Sequence, residues 1–162
     1  MQVTDGQVAV ELVEGIGAER AAAGIWARAT AQRDRLHSVA PLEEKLSGIQ
    51  QTLKADGASL HLASRGSRAI GFCILIPRGK SLEIRYLATD PEVWGSGAGW
   101  ALLKHVQEHA GRTGCPRGEL WVIADNARAI SAYKRAGWVA TDLVEVRGSA
   151  GRPERRFVRD FD

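Results

Sequence analysis

The residues most able to do chemistry lie between Leu82 and Leu103, in LEIRYLATDPEVWGSGAGWALL. An apolar, strand-like run breaks at Asp90-Pro91, since proline has no N–H for a sheet ladder. Gly95-Ser96-Gly97-Ala98-Gly99 then opens a helical run. Glycines at alternate positions let backbone N–H groups converge with no Cβ in the way. The helix start adds its own unpaired N–H groups and the positive end of its dipole. Strand, glycine loop and helix start make an anion site, typically for phosphate. On the preceding strand, simple alternation puts Glu83 on the same side as Leu87 and Thr89, where its carboxylate is either a base acting through water or a cross-strand partner for an arginine. Farther on, Asn126 is placed to cap a helix, and Tyr133, seven residues later, shares its face two turns along.

Competing chemistries fit less well. Neither register of the loop satisfies the dinucleotide fingerprint G-x-G-x-x-G/A, because the sixth position is Trp100 or Leu102. The Gly-Lys-Ser/Thr of a P-loop is absent. A purely structural glycine turn remains an alternative. His105-Val-Gln-Glu-His109 matches a zinc-protease pattern but has no clear third ligand in the sequence. Cys115 has no activating neighbour for a nucleophilic role, and with Cys73 it suits neither a zinc site nor a disulfide framework.

The elements that must position these groups follow from periodicity. Val8–Leu12 alternates as a first strand, and Ala22, Ile25, Trp26 and Ala29 give helical spacing from Ala18 to about Ala31. Residues 32–40 are a polar loop. Pro41 opens a second helix with a Leu42, Leu46, Ile49, Leu53 stripe, stopped by Asp56-Gly57. Ser59–Ser64, Ala69–Ile76 and Leu82–Thr89 read as an antiparallel meander, with turns at 65–68 and 77–80. A helix carrying Ala98, Leu102, Leu103, Val106 and Ala110 crosses over to a buried strand, Glu119–Ala124, which should run parallel to Leu82–Thr89. A helix of about ten residues follows Asn126, and Trp138–Val146 pairs with Arg155–Phe161 as a closing hairpin. The arginine-rich tail is expected at the sheet edge, with charged faces. Trp26, Trp100, Trp121 and Trp138 are read as core or partner-facing aromatics.

At 162 residues, with 44% hydrophobic and 25% charged side chains, the expectation is one domain over residues 1–162. A net charge of +3 without an aromatic-basic array makes nucleic acid an unlikely partner. No run reaches the length of a membrane span, and the first residues lack a signal-peptide pattern. A reducing cytoplasm is the expected location.

From about Leu60 to Trp138 the sequence resembles the GNAT acyltransferase superfamily. Two motifs carry the resemblance: strand-x-Asp-Pro-x-x-x-Gly-x-Gly-x-Gly leading into Ala-Leu-Leu, and the later DNARAISAYKRAGW. The resemblance implies a mixed α/β fold, with a mostly antiparallel sheet of six to seven strands, helices on both faces, and a splayed central parallel pair. It implies acetyl-CoA as acyl donor and direct transfer to a primary amine. Leu87, Ala88 and Thr89 would hold the pantetheine arm by backbone groups, and the stretch Trp94, Gly95, Ser96, Gly97, Ala98, Gly99 and Trp100 the pyrophosphate. Asn126 and Ala129 would also touch the cofactor, and Tyr133 would donate a hydrogen bond to the leaving thiolate, with Glu83 as candidate base. The family usually has Gln or Arg where Trp94 stands and often a basic residue where Ser96 stands, which leaves backbone amides as the main pyrophosphate contact. The acceptor would enter past the Thr30–Pro41 loop and the last hairpin, near Asp34, Arg35 and His37. A small-molecule amine is favoured over a protein N-terminus, a lysine or an aminoacylated RNA, and relatives often form homodimers. The alternatives from other classes are a nucleotide-binding module and a catalytically silent acyl-CoA sensor.

Overall fold

Residues 7–148 and 151–161 are described in the computed structural model of the protein. Strand β1 (Val8–Val13) leads into helices α1 (Ile16–Arg33) and α2 (Leu42–Thr52), the latter beginning just after Pro41, with Glu43 and Glu44 in its first turn. Strands β2 (Ser59–Arg65), β3 (Arg68–Arg78) and β4 (Ser81–Thr89) form the antiparallel meander. A single 3-10 turn at Pro91–Val93 and the glycine loop deliver helix α3 (Ala98–Thr113), and β5 (Arg117–Ile123) follows. Helix α4 (Ala127–Arg135) precedes β6 (Val139–Val146) and β7 (Pro153–Asp160). The elements lie where the periodicity places them, with β3 running through Pro77 and Arg78 so that the turn narrows to Gly79-Lys80.

The strands make one seven-stranded sheet in the order β1-β2-β3-β4-β5-β7-β6. Every neighbouring pair is antiparallel except β4 and β5. Two apolar layers cover it. On one face α1 and α2 pack Ile25, Leu46 and Ile49 against Leu60, Phe72 and Ile74. On the other, α3 packs Leu102, Leu103 and Val106 against Ile70, Leu75, Ile84 and Leu120, and Tyr133 and Ile130 of α4 join that layer. No helix among the described residues is long and apolar enough to cross a membrane.

The arginine-rich tail departs from expectation. Strand β7 is not an edge: it lies between β5 and β6, with Phe157 fully buried, and β6 is the outer strand. The sheet accepts so many arginines because each finds an acceptor. Arg155 donates to the Thr141 carbonyl, Arg156 pairs with Glu119, and Arg159 donates to the Ala136 carbonyl.

The histidine spacing on α3 acquires a third imidazole. His61 of β2 is fully buried, and its Nδ1 lies 2.8 Å from Nε2 of His105, while its Nε2 lies 2.7 Å from the Ser59 hydroxyl. His109 is edge-on to it at 4.8 Å between ring centres. The ring nitrogens of His61 are thus committed to hydrogen bonds, and among the described residues no group of side chains is arranged to hold a metal. Burial, with the neighbouring His105, His109 and Arg112, pushes the His61 imidazole down to about 3. A histidine depressed on folding stabilises the native state above its unfolded pKa, and that contribution is lost as pH falls. Stability should therefore drop as pH falls below about 6.5, by up to about 2 kcal/mol between pH 7.5 and 5. Urea unfolding at the two pH values, repeated on His61→Gln, tests this: the variant should show the smaller drop, and an equal drop would exclude His61 as its source.

Candidate active site

The sheet opens at its centre. Parallel pairing of β4 with β5 runs only over Ser81–Ile84 and Arg117–Leu120. Beyond Ile84, β4 stays paired to β3 as far as Thr89, and β5 stays paired to β7 as far as Ile123. Each strand is held by its outer neighbour, so between them the facing backbone edges of Leu87, Ala88 and Thr89 are left without a strand partner. Unpaired strand edges are where an extended ligand can bind as an added strand.

Where the strands part, β4 carries a bulge. Ile74 faces Tyr86 and the next residue, Leu75, faces Ile84, so Arg85 is the extra residue. The bulge changes which side chains share a face. Leu82, Ile84 and Leu87 point to the α3 layer, whereas Tyr86 and Ala88 point to the α1 layer. Glu83, opposite Ile76, therefore lies on the α1 side and not with Leu87 and Thr89, as unbroken alternation predicts.

At the far end of β4 the glycine loop is fixed by a buried carboxylate. Asp90 is 3% exposed; its Oδ2 accepts from Arg28 at 2.9 and 3.2 Å, and its Oδ1 accepts from the Glu92 N–H. Arg28 belongs to α1, so this contact ties the loop to the opposite layer. Gly95 and Gly97 have φ of 85° and 94°, the left-handed region that side chains disfavour, and a Cβ at either would meet nothing within 4 Å. Backbone conformation, with open space above, is what requires glycine there. Gly97 caps α3 with no side-chain cap, so the first-turn N–H groups of the helix point outward. The Trp94 and Ser96 N–H groups are spent on the Pro91 and Val93 carbonyls. Trp94 turns its indole inward: Nε1 donates to the Thr89 carbonyl at 3.0 Å, and Arg128 of α4 lies over its ring at 3.7 Å. Trp100 is 60% exposed.

Helix α4 brings the other groups. The Asn126 side chain accepts from the Ala129 N–H, the expected N-cap. Ala129, Ile130 and Tyr133 lean on the α3-side core, and Tyr133 packs beside Trp138 and Phe157. Burial pushes the Tyr133 phenol up to about 12, so it stays a protonated donor at neutral pH. Among the described residues its hydroxyl has no hydrogen-bond partner. Cys73 is fully buried in the same core, and burial pushes its thiol far up, which makes it inert.

On the α1 side, a cavity of about 100 Å³ sits where the strands diverge, lined by Glu83, Arg85, Tyr86, Trp121, Arg147 and Glu154 among others. Glu83 is buried and surrounded by cations: Arg78 at 3.2 Å, Arg85 at 3.9 Å and Arg147 at 4.0 Å. Arg147 also lies over Trp121, and Tyr86 packs on Trp26. Arg147 reaches Glu83, and Trp121 joins the same cavity, only through strand order, so no spacing in the sequence points to either. Asp34 does not line this cavity. It pairs with Arg33 and Arg152, which hold its carboxyl down at about 2 despite partial burial, and Arg152 also reaches Asp125. Asp34 thus ties the loop after α1 to the chain entering β7. Arg35 takes a left-handed φ of 53°, and His37 is exposed.

These features define the class. A model of the acetyltransferase (GNAT) family matches residues 22–138, and the chain belongs to that family. The mycothiol acetyltransferase of Acidimicrobium ferrooxidans is 36% identical over 89 residues, which cover 52% of this chain and 29% of that protein. The chain thus spans under a third of the length of that curated relative. Among solved structures, the ribosomal-protein-S18-alanine N-acetyltransferase of Escherichia coli superposes with a TM-score of 0.75 at 18% identity, over 96% of this chain and 95% of that one. The PaiA N-acetyltransferase of Thermoplasma acidophilum, solved with coenzyme A, gives 0.72 at 16% identity, over 95% and 99%. At such identities these likenesses show the fold.

If Asp90 fixes the loop, Asp90→Ala frees the half-exposed Arg28 from it and uncaps the turn at Pro91. Unfolding stability should fall by about 1–2 kcal/mol, most of it from the lost cap, measurable by urea denaturation. A loss below about 0.5 kcal/mol, the scale of an ordinary surface change, would demote the contact to a surface pair.

Proposed function

We propose that the chain is an acetyl-CoA-dependent N-acetyltransferase that moves an acetyl group directly to the primary amine of a small molecule. One observation carries the reading: the gap between β4 and β5 ends at an open glycine loop with free helix N–H groups. A strand edge suits the amides of a pantetheine arm, and the loop suits a pyrophosphate. The chemistry of these residues suits acetyl-CoA, with a strand edge lacking a partner for amides and free helix N–H groups for phosphate. Leu87, Ala88 and Thr89 supply the strand edge, with the Thr89 carbonyl already taken by Trp94. Gly95, Gly97, Ala98, Gly99 and Trp100 supply amides at the phosphates. Asn126 and Ala129 border the arm, the side chain of Asn126 being partly occupied as a helix cap.

When bound, the thioester supplies an activated acyl carbon on the α3 side of the gap, and the acceptor amine enters from the cavity on the α1 side. The new C–N bond forms as the C–S bond breaks. Tyr133 donates a hydrogen bond to the departing thiolate, which at an ordinary thiol pKa near 8.5 needs no strong acid. Glu83 takes the amine proton through a water, and its arginine neighbours orient the carboxylate. Asp34 shapes the acceptor entrance indirectly, through Arg152, with Arg35 and His37 on the same loop as acceptor contacts. The relatives named mycothiol acetyltransferases agree with a small-molecule acceptor.

A thermal-shift titration tests the donor. A ligand at a hundred times its Kd stabilises the native state by about 2.7 kcal/mol, several degrees in Tm for a domain this size. Acetyl-CoA should give that shift and NAD none; no shift with any CoA species would end the assignment. Tyr133→Phe should lower kcat at least ten-fold and leave acetyl-CoA affinity nearly unchanged, in an assay of thiol release with an amine panel. An unaltered kcat would remove the donor role.

A further inference from the structure

The glycine loop carries no cation of its own. Residues 94–99 read Trp-Gly-Ser-Gly-Ala-Gly, and a diphosphate held by amides alone keeps most of its charge unneutralised. Helix α4 brings a cation to the same place. The Arg128 guanidinium lies 3.7 Å above the Trp94 ring, flush with the residue that precedes Gly95. The Trp94 ring is itself fixed, because its Nε1 donates to the Thr89 carbonyl. Among the described residues no carboxylate lies within ion-pairing distance of Arg128, although most arginines around both sheet faces are paired. Partial desolvation lowers its pKa, as for a cation left without a counter-charge. Stacking on an indole holds a guanidinium in place while leaving its N–H edge free to donate, a geometry suited to phosphate oxygens.

We propose that Arg128, shelved on Trp94, is a binding residue for the diphosphate of the cofactor, supplying from α4 the positive charge that the glycine loop lacks. This rests on the acetyl-CoA reading above and adds to it a residue and a division of labour. Amides of the loop grip the diphosphate from the α3 side, and the guanidinium closes on it from the α4 side. Trp94 serves as the shelf and makes no phosphate contact. Because Arg128 sits five residues before Tyr133 on one short helix, the same contact sets where α4 stands relative to the thioester.

Isothermal titration of CoA, 3′-dephospho-CoA and pantetheine against the wild-type chain, Arg128→Ala, Arg128→Gln and Trp94→Ala tests this. Charge-assisted hydrogen bonds of this kind are worth about ten- to a hundred-fold in affinity. Both Arg128 variants should lose about that factor for CoA and for 3′-dephospho-CoA alike, and nothing for pantetheine. Trp94→Ala should follow them, because the guanidinium loses its shelf. Arg128 is exposed, so folding should be kept, and circular dichroism melts check it. Unchanged CoA affinity in both Arg128 variants would overturn the proposal. So would a loss confined to CoA, which would move the contact to the 3′-phosphate. Failure of the wild-type chain to bind any CoA species would instead overturn the acetyltransferase reading on which it stands.

Discussion

Everything at the centre of this molecule depends on two neighbouring strands that stop pairing. Strands β4 and β5 share hydrogen bonds over four residue pairs and then separate, while each remains laddered to its other neighbour. Unpaired backbone N–H and C=O groups inside a sheet are costly unless something satisfies them. A gap kept open by full pairing on both outer flanks is therefore a place for a ligand that offers peptide-like groups. The glycine loop and the start of α3 lie at the end of the same strand, so the open strand edge continues directly into the free N–H groups of the loop.

The bulge at Arg85 divides this gap into two chambers. One extra residue in β4 sends Glu83 and Tyr86 to the α1 face and Leu87 to the α3 face. On the α3 face stand the phenol of Tyr133 and the Trp94–Arg128 stack, and on the α1 face stand a buried carboxylate, three arginines and the Trp121 ring. The arrangement is compatible with the direct transfer proposed above, in which donor and acceptor reach one carbon from opposite faces. The walls of the two chambers are tied to each other by ion pairs that cross the layers. Arg28 of α1 holds Asp90 at the loop, and Arg152 joins Asp34 to Asp125. Charge pairs of this kind fix geometry more than they add stability, and the half-exposed arginines among them contribute modestly.

The polar interior groups show the same economy. The arginines of β7 enter the sheet because a carbonyl or carboxylate meets each one, and burial beside His105, His109 and Arg112 keeps His61 neutral while both ring nitrogens find partners. The sequence shows such residues only as charge in a strand or as a histidine spacing. Their partners come from other elements, Thr141 and Ala136 for β7 and His105 for His61, so composition alone reads the first as an edge and the second as an isolated pair.

What the sequence determined by itself is what local chemistry controls. Asp90-Pro91 ended β4, alternate glycines marked the loop and the start of α3, the Asn126 cap set the phase of α4 and hence the face of Tyr133, and the order of elements dictated a parallel crossover. Each of these depends on residues within a turn or two of one another, where φ limits, missing N–H groups and periodicity act directly. Tertiary structure alone decided the rest. A bulge depends on the register against β3, so alternation misassigned Glu83. The place of β7 depends on which strand edge remained open, so a charged tail became an inner strand. Arg147 meets Glu83, and Arg128 meets Trp94, across separations that no spacing rule spans, because only packing brings those elements together.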